Sequence, residues 1–205
     1  MDHFKIKEQS LKTLEGNRLM LFVLLLIVAA IASIGSAAIG IGYLVSLILS
    51  GGVYLTVRQM LLEKKQINLE LALISIFKDI NHSVKIMVVG LLYNVLVVVG
   101  TVLLIVPGIY WGLQYSQAQY IIVNNKDMDI FDAFKESKKM MDGNKSDLFL
   151  FILGFIGHFL LGIVTFGIYL LYFMPYFVTC QVNYHLHLTN AYAKHEDPEV
   201  VEAQI

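Results

Sequence analysis

Charge is missing from three long stretches of this chain. No Asp, Glu, Lys or Arg occurs in Leu19 to Val57, Ile86 to Asn125 or Leu148 to Ala193. Each stretch is about 40 residues long, and one bilayer-spanning helix takes roughly 20 apolar residues, so each is long enough to cross a membrane and return. Cysteine is nearly absent as well. Cys180 stands alone inside the last apolar stretch, which excludes a disulfide framework and reads as a small apolar helix residue. HExxH, a Walker loop, GxSxG and a Cys cluster are all missing, which removes the usual signatures of metalloproteases, nucleotide hydrolases and serine hydrolases.

What is present is apolar. Hydrophobic residues make up 57% of the chain, charged residues 15%, and the mean hydropathy is +0.68, far from soluble-domain averages. The apolar runs are continuous, whereas strands of a membrane barrel would alternate over about 10 residues, so helices are the spanning form expected. The predicted fold is all-α and polytopic: six transmembrane helices arranged as three helical hairpins in one membrane domain over 1–193, then an acidic cytoplasmic tail over 194–205. Orientation follows from the 15 Lys and Arg residues, all in four segments that the hairpins place on one face. Lys5, Lys7, Lys12 and Arg18 come first, then Arg58, Lys64, Lys65, Lys78 and Lys85. Lys126, Lys135, Lys138, Lys139 and Lys145 precede the third hairpin, and Lys194 follows it. By the positive-inside bias this face is cytoplasmic, with both termini inside a multi-pass protein of the plasma membrane. The opposite face receives three short turns, near Ser33 to Ile39, Thr101 to Gly108 and Val164 to Gly167. A basic N-region, an apolar run and Ala30-Ile31-Ala32 resemble a signal peptide and its cleavage site. Cleavage there would remove half of the first hairpin, so a span is the better reading.

The hairpins look repeated. Glu15-Gly16-Asn17-Arg18, Asp79-Ile80-Asn81-His82 and Asp142-Gly143-Asn144-Lys145 precede the three outward spans at spacings of 64 and 63 residues. Ile41-Gly42-Tyr43, Gly108-Ile109-Tyr110 and Gly167-Ile168-Tyr169 open the three returning spans. The units expected are about 1–64, 65–128 and 129–193. Each begins with an amphipathic helix at the cytoplasmic interface. In the second, Leu69, Leu73, Ile76, Phe77 and Ile80 share a face; in the third, Ile130, Phe134, Ser137 and Met141 do. Asp129 is placed to cap the third helix and Gly143 to stop it, and Ser83 and Ser146 to cap the spans that follow. Pro107-Gly108 and Phe166-Gly167 are expected to break the chain at outer turns, and Pro175 to kink the last span. Gly154, Gly157 and Gly162, with Gly35 and Gly40, would permit close helix approach.

Uncompensated polar groups in lipid are costly, so polar residues within spans are where transport or catalysis would show. The spans hold Asn94, Gln114, Gln117, Gln119, His158, Gln181, Asn183, His185 and His187, and no carboxylate. Asn94, Gln114, Gln117 and His158 are the candidate polar intramembrane residues. Gln114 and Gln117, three apart, share a helical face; helix-to-helix hydrogen bonding is one use for them, and lining a neutral path is the other. His185 and His187 lie two apart, roughly 200° around a helix, which is a poor chelating pair, and no metal or other cofactor is expected. From Arg58 to Lys85 five positive residues face three negative, and from Lys126 to Asp147 five face six, so neither segment is a strong basic patch for anionic lipid or nucleic acid.

The run Ile105-Val106-Pro107-Gly108-Ile109, then Phe134-Lys135-Glu136-Ser137 through Met141-Asp142-Gly143-Asn144-Lys145, then Phe155-Ile156-Gly157, Leu160-Leu161-Gly162-Ile163 and Gly167-Ile168, ending at Pro175-Tyr176, resembles a bacterial family of integral membrane proteins, domain-of-unknown-function family 975. The resemblance spans about residues 80 to 190 and more loosely the whole chain. It implies a location and a fold style, and no catalytic or ligand residue. The expectation is therefore a non-catalytic membrane protein acting through contacts with the lipid bilayer or other membrane proteins, in an accessory, scaffold or protective role. The alternative is a small transporter or channel with a neutral polar path between the hairpins. Lipid hydrolysis by Asp and His near His82 or Asp142 is a third, weaker reading.

Overall fold

The computed structural model describes residues 2–36, 41–63, 67, 79–103 and 105–196, and no strand occurs among them. The helices are α1 (His3–Leu14), α2 (Arg18–Ser36), α3 (Ile41–Glu63), α4 (Ile80–Leu103), α5 (Ile105–Tyr115), α6 (Ala118–Asn124), α7 (Ile130–Met140), α8 (Lys145–Leu153), α9 (Ile156–Val164) and α10 (Ile168–Glu196). Among the described residues three segments are long and apolar enough to cross a membrane: Gly42–Glu63, Ile80–Leu103 and Lys145–Val164, the last running through α8 and α9. A fourth arises if α1 and α2, bent by 92° at their junction, are taken as one span. The elements are shorter than the apolar stretches because the chain breaks inside them, at Ser116–Gln117 and at Gly154–Phe155.

The amphipathic leading helices form for local reasons. The Asp2 carboxylate accepts from Lys5 N–H at 3.1 Å to cap α1, and the Asp129 carboxylate accepts from Phe131 N–H at 3.0 Å to cap α7. Lys12 pairs with Glu8 at 2.7 Å and Lys135 with Asp132 at 2.9 Å along the exposed faces, and each pair raises the lysine's pKa, chiefly through the hydrogen bond to its carboxylate. Both helices end at a glycine in the left-handed region, Gly16 at φ 84° and Gly143 at φ 74°. The asparagine that follows closes the turn in the same way each time. Asn17 N–H donates to Leu14 O and Asn144 N–H to Met141 O, and each asparagine carbonyl then accepts from the next helix, from Leu21 and Leu148. On the inner faces Ile6, Ser10 and Leu14 of α1 are buried, as are Ala133, Phe134, Ser137 and Met140 of α7, with Met141 just after it. Of the helix in the second unit, Leu69, Leu73, Ile76 and Phe77 lie outside the described residues, while Ile80 opens α4 and is exposed.

Packing follows the hairpins and then closes a ring. α2 packs on α3, α4 on α5, and α9 on α10; between hairpins α4 packs on α3, α8 on α5, and α2 on α10. The returning helices α3 and α10 also touch each other, and α3 touches α6. The core between them holds Leu24, Val53, Tyr54, Val57, Ile122, Phe173 and Val182.

Several local expectations are corrected. Pro107-Gly108 does not break the chain. α5 has already begun at Ile105, where proline is tolerated in the first helical turn, and Gly108 is buried against Thr101. Phe166 at φ 50° and Gly167 at φ 85° do make a turn between α9 and α10, with Gly167 N–H donating to Gly162 O at 2.7 Å. Ser83 and Ser146 are not caps. Asp79 caps α4 through His82 N–H at 3.1 Å, Ser83 Oγ donates back to Asp79 O, and Ser146 lies exposed inside α8. Gly162 and Gly154 do permit close approach, to Leu170 and Lys7, whereas Gly157 faces open space. Pro175 lies inside α10, where its carbonyl accepts from Thr179 Oγ1 at 2.8 Å.

Candidate functional site

The polar residues of the apolar stretches meet where the three returning helices approach one another. The break between α5 and α6 prepares one side of this layer. Ser116 Oγ donates to Leu113 O at 2.9 Å, and Gln117 Nε2 donates to Ser116 Oγ at 2.8 Å, which turns Gln117 Oε1 toward His185 on α10. His185 Nδ1 donates to that oxygen at 2.8 Å, so the arrangement fixes the imidazole as the Nδ1–H tautomer. Both residues are buried, Gln117 at 3% and His185 at 2% exposure.

Three rings close on this bond, one from each hairpin. Tyr54 of α3 and Tyr120 of α6 lie 4.8 Å apart between centroids, and His185 lies 5.6 Å from the first and 5.0 Å from the second. Asn124 Nδ2 donates to Tyr54 Oη at 2.6 Å, and Gln119 Nε2 donates to Ser50 Oγ at 2.7 Å and to Leu47 O at 3.3 Å. Two cavities flank the layer. One of about 220 Å³ is lined by Leu25, Ser50, Tyr54 and Val178; one of about 470 Å³ is lined by Tyr93, Ser116, Gln117, Leu148 and Gln181. Gln119 and Tyr120 line both.

Of the four candidates read from the sequence, Gln117 alone joins this layer. Asn94 Nδ2 donates to Gly90 O of its own helix at 2.7 Å. Gln114 is buried one turn earlier, and its carbonyl accepts from Ser137 Oγ of α7 at 3.0 Å. His158 lies elsewhere, half-buried between α9 and α10 and stacked on Phe173 at 4.7 Å among Phe155 and Tyr169. Among the described residues it is held by ring packing rather than by a hydrogen bond to a neighbouring helix. Sequence reasoning singled out neither tyrosine of the central cluster. Tyr54, Tyr120 and His185 are 66 and 65 residues apart, close to the spacing of the junction motifs, and that was the signal available.

A second cluster ties α1 beneath the bundle. Asp147 of α8 accepts from His3 Nε2 at 3.0 Å and from Tyr184 Oη at 2.9 Å, Asn183 Nδ2 donates to Ile6 O and Ser10 Oγ, and His187 Nε2 donates to Gln9 Oε1. His185 and His187 thus have separate partners on separate elements. Among the described residues no three His, Cys, Asp or Glu side chains are grouped to hold a metal ion.

A family model described as a protein of unknown function (DUF975) matches residues 1–192. The chain belongs to this family. No curated protein and no solved structure matches it. The match begins before α1 and ends within the last turns of α10, so the ring of hairpins, the polar layer and the α1 anchor all fall inside the family unit.

The family unit also carries contacts that a plain set of straight hairpins does not anticipate. Arg18, at the start of α2, stacks its guanidinium over Tyr172 near the start of α10, 3.9 Å from the ring centroid, and donates from Nη1 to Tyr172 Oη. Lys145, in the same position of the third junction, sits 4.9 Å from the ring centroid of Tyr110 on α5. Both cations reach toward tyrosines in the first two turns of α5 and α10.

Proposed function

We propose that this chain is a non-catalytic integral membrane protein that works through contacts with lipid and other membrane proteins, in an accessory, scaffold or protective role. In this reading it crosses the plasma membrane six times as three hairpins, with both termini in the cytoplasm. The observation that carries it is the use made of the buried polar side chains. Gln119 and Asn124 donate to α3, and Gln117 and His185 bond to each other across elements, which is what polar glue between helices does. The ring order of the packing and the matching turns at Gly16 and Gly143 support a threefold repeat. So do Ser10 and Ser137, both fully buried and both six residues before those glycines. Photocrosslinking in native membranes, followed by purification of the chain, should return the same protein partners in repeated experiments. Recovery of the chain with no reproducible partner and no bound lipid would overturn the reading.

One observation favours a small transporter of neutral polar solutes as the second reading. The Tyr120 hydroxyl and the Gln181 amide line the larger cavity, and neither makes a hydrogen bond among the described residues. Proteoliposomes that take up glycerol or small amides faster than empty liposomes, and lose the difference in Gln181→Leu, would decide for transport. Equal uptake would decide against it.

A further inference from the structure

We propose that the seam between the start of α2 and the start of α10 is a seat for an anionic phospholipid, with Arg18 taking the phosphate and the flanking apolar groove taking an acyl chain. This deepens the reading of a protein acting through lipid and protein contacts and rests on that reading, without using the side assigned to any turn.

Among the described cations that the fold holds without a carboxylate, Lys7 donates to Gly154 O over the Phe155 ring and Lys85 to Lys126 O and Met128 O. Arg18 differs from both in keeping a buried N–H without an acceptor. Lys12, Lys135 and Lys139 pair with Glu8, Asp132 and Glu136, and Lys145 lies 3.7 Å from Asp142. Arg18 occupies the same place in its junction that Lys145 occupies in the third, yet it makes no ion pair with any described carboxylate; its polar partner is the neutral Tyr172 hydroxyl. Stacking on Tyr172 holds the guanidinium flat and buries Nε without a hydrogen-bond partner. A guanidinium carries five donors, and here one of them is used on Tyr172. An immobilised cation short of an anion beside an open apolar groove is matched by a phosphodiester, which accepts two parallel N–H bonds from the guanidinium fork.

The groove beside it is apolar apart from this one end. A space of about 470 Å³ is bounded by Arg18, Leu19, Phe22, Ile168, Leu171 and Tyr172. Leu19 is 75% and Ile168 73% exposed, so the walls open sideways, where a hydrocarbon chain would lie, rather than into a closed chamber. One charged end joined to an apolar trough has the polarity of a phospholipid. A soluble anion would leave the trough empty, a lipid without a phosphate would leave the guanidinium unpaired, and a choline headgroup would bring a second cation beside it. Basic pockets between spanning helices take lipid headgroups by the same logic.

The test uses the full chain, purified in detergent and exposed to equal amounts of palmitoyl-oleoyl phosphatidylglycerol and phosphatidylcholine, with bound lipid read by native mass spectrometry. Wild type should retain the anionic lipid about tenfold over the zwitterionic one. Arg18→Gln should bind the two equally, and Arg18→Lys should keep part of the preference, which separates charge from folding. Leu171→Trp, which fills the trough and keeps Arg18, should lower retention of both lipids. An unchanged preference in Arg18→Gln would overturn the seat, and so would displacement of the lipid by an equal concentration of glycerol 3-phosphate. Crosslinked protein partners that persist in Arg18→Gln while the lipid preference disappears would support the seat independently of the scaffold reading. Partners that persist while the preference never depends on Arg18 would overturn the seat and leave the scaffold reading in place.

Discussion

The Gln117–His185 bond joins the second hairpin to the third, and its loss can be measured as a coupling energy. Replacing Gln117 by Leu leaves the buried His185 Nδ1–H without an acceptor, and replacing His185 by Leu leaves Gln117 Oε1 without a donor. An unsatisfied buried group costs about 1–3 kcal/mol, so each single variant should lose an amount in that range. His185→Leu also loses its ring contacts with Tyr54 and Tyr120, and Gln117→Leu its bond to Ser116. Those losses recur unchanged in the double variant and cancel in the cycle. What remains is the pair itself. Polar pairs between membrane helices average about 0.6 kcal/mol and reach about 1.7 kcal/mol, and near-complete burial places this one toward the upper end, at about 1 kcal/mol. The assay is reversible unfolding in mixed micelles by SDS titration, followed by circular dichroism, on wild type, both singles and the double. The double variant should be about 1 kcal/mol less destabilised than the sum of the singles. Additive effects would refute the reasoning, because water or another partner would then be satisfying each group alone.

Other elements give sharper local outcomes. A methyl added at Gly108 would lie against Thr101 Oγ1 and 2.6 Å from Thr101 N, a backbone clash that no rotamer relieves. Gly108→Ala should therefore lower stability by about 1–3 kcal/mol in the same assay, while Gly157→Ala, where nothing lies within 4 Å, should stay within about 0.5 kcal/mol of wild type. Asn183→Ala removes the donor that holds α1 through Ile6 O and Ser10 Oγ. Hydrogen exchange in His3–Leu14 should then speed up by about tenfold, while exchange in Ile130–Met140 is unchanged; equal acceleration of both helices would mean global loosening instead.

The charge map carried most of what the sequence could tell. Long uncharged stretches marked apolar helices of membrane-spanning length, and the cap at Asp129 and the left-handed Gly143 were legible because capping and helix termination are local events. The break at Ser116–Gln117 was not legible. It contains no proline or glycine, and it is held by a serine and a glutamine whose alternative, a continuous helix, fits the same apolar pattern. Pro107-Gly108 misled in the other direction, since a proline in the first helical turn looks in sequence like a chain break. The polar layer was half visible. Gln117 stood out as polar in an apolar run, but its partner lies 68 residues away and pairing across hairpins has no local signature. His158 stood out for the same reason, and turned out to pack within its own hairpin among aromatic rings.

The most direct test of the three-hairpin membrane arrangement is the side on which each turn emerges. In a Cys180→Ala background, which removes the one buried native thiol, single cysteines are placed at Thr101 and Phe166, in turns that the proposal puts outside, and at Asp127 and Lys138, in segments that it puts in the cytoplasm. All four positions are exposed, Phe166 at 97%. A membrane-impermeant maleimide should label the first two in intact cells and the last two only after the membrane is opened. Labelling of the cysteine at Asp127 or Lys138 in intact cells, or its absence at both outer turns, would contradict the arrangement.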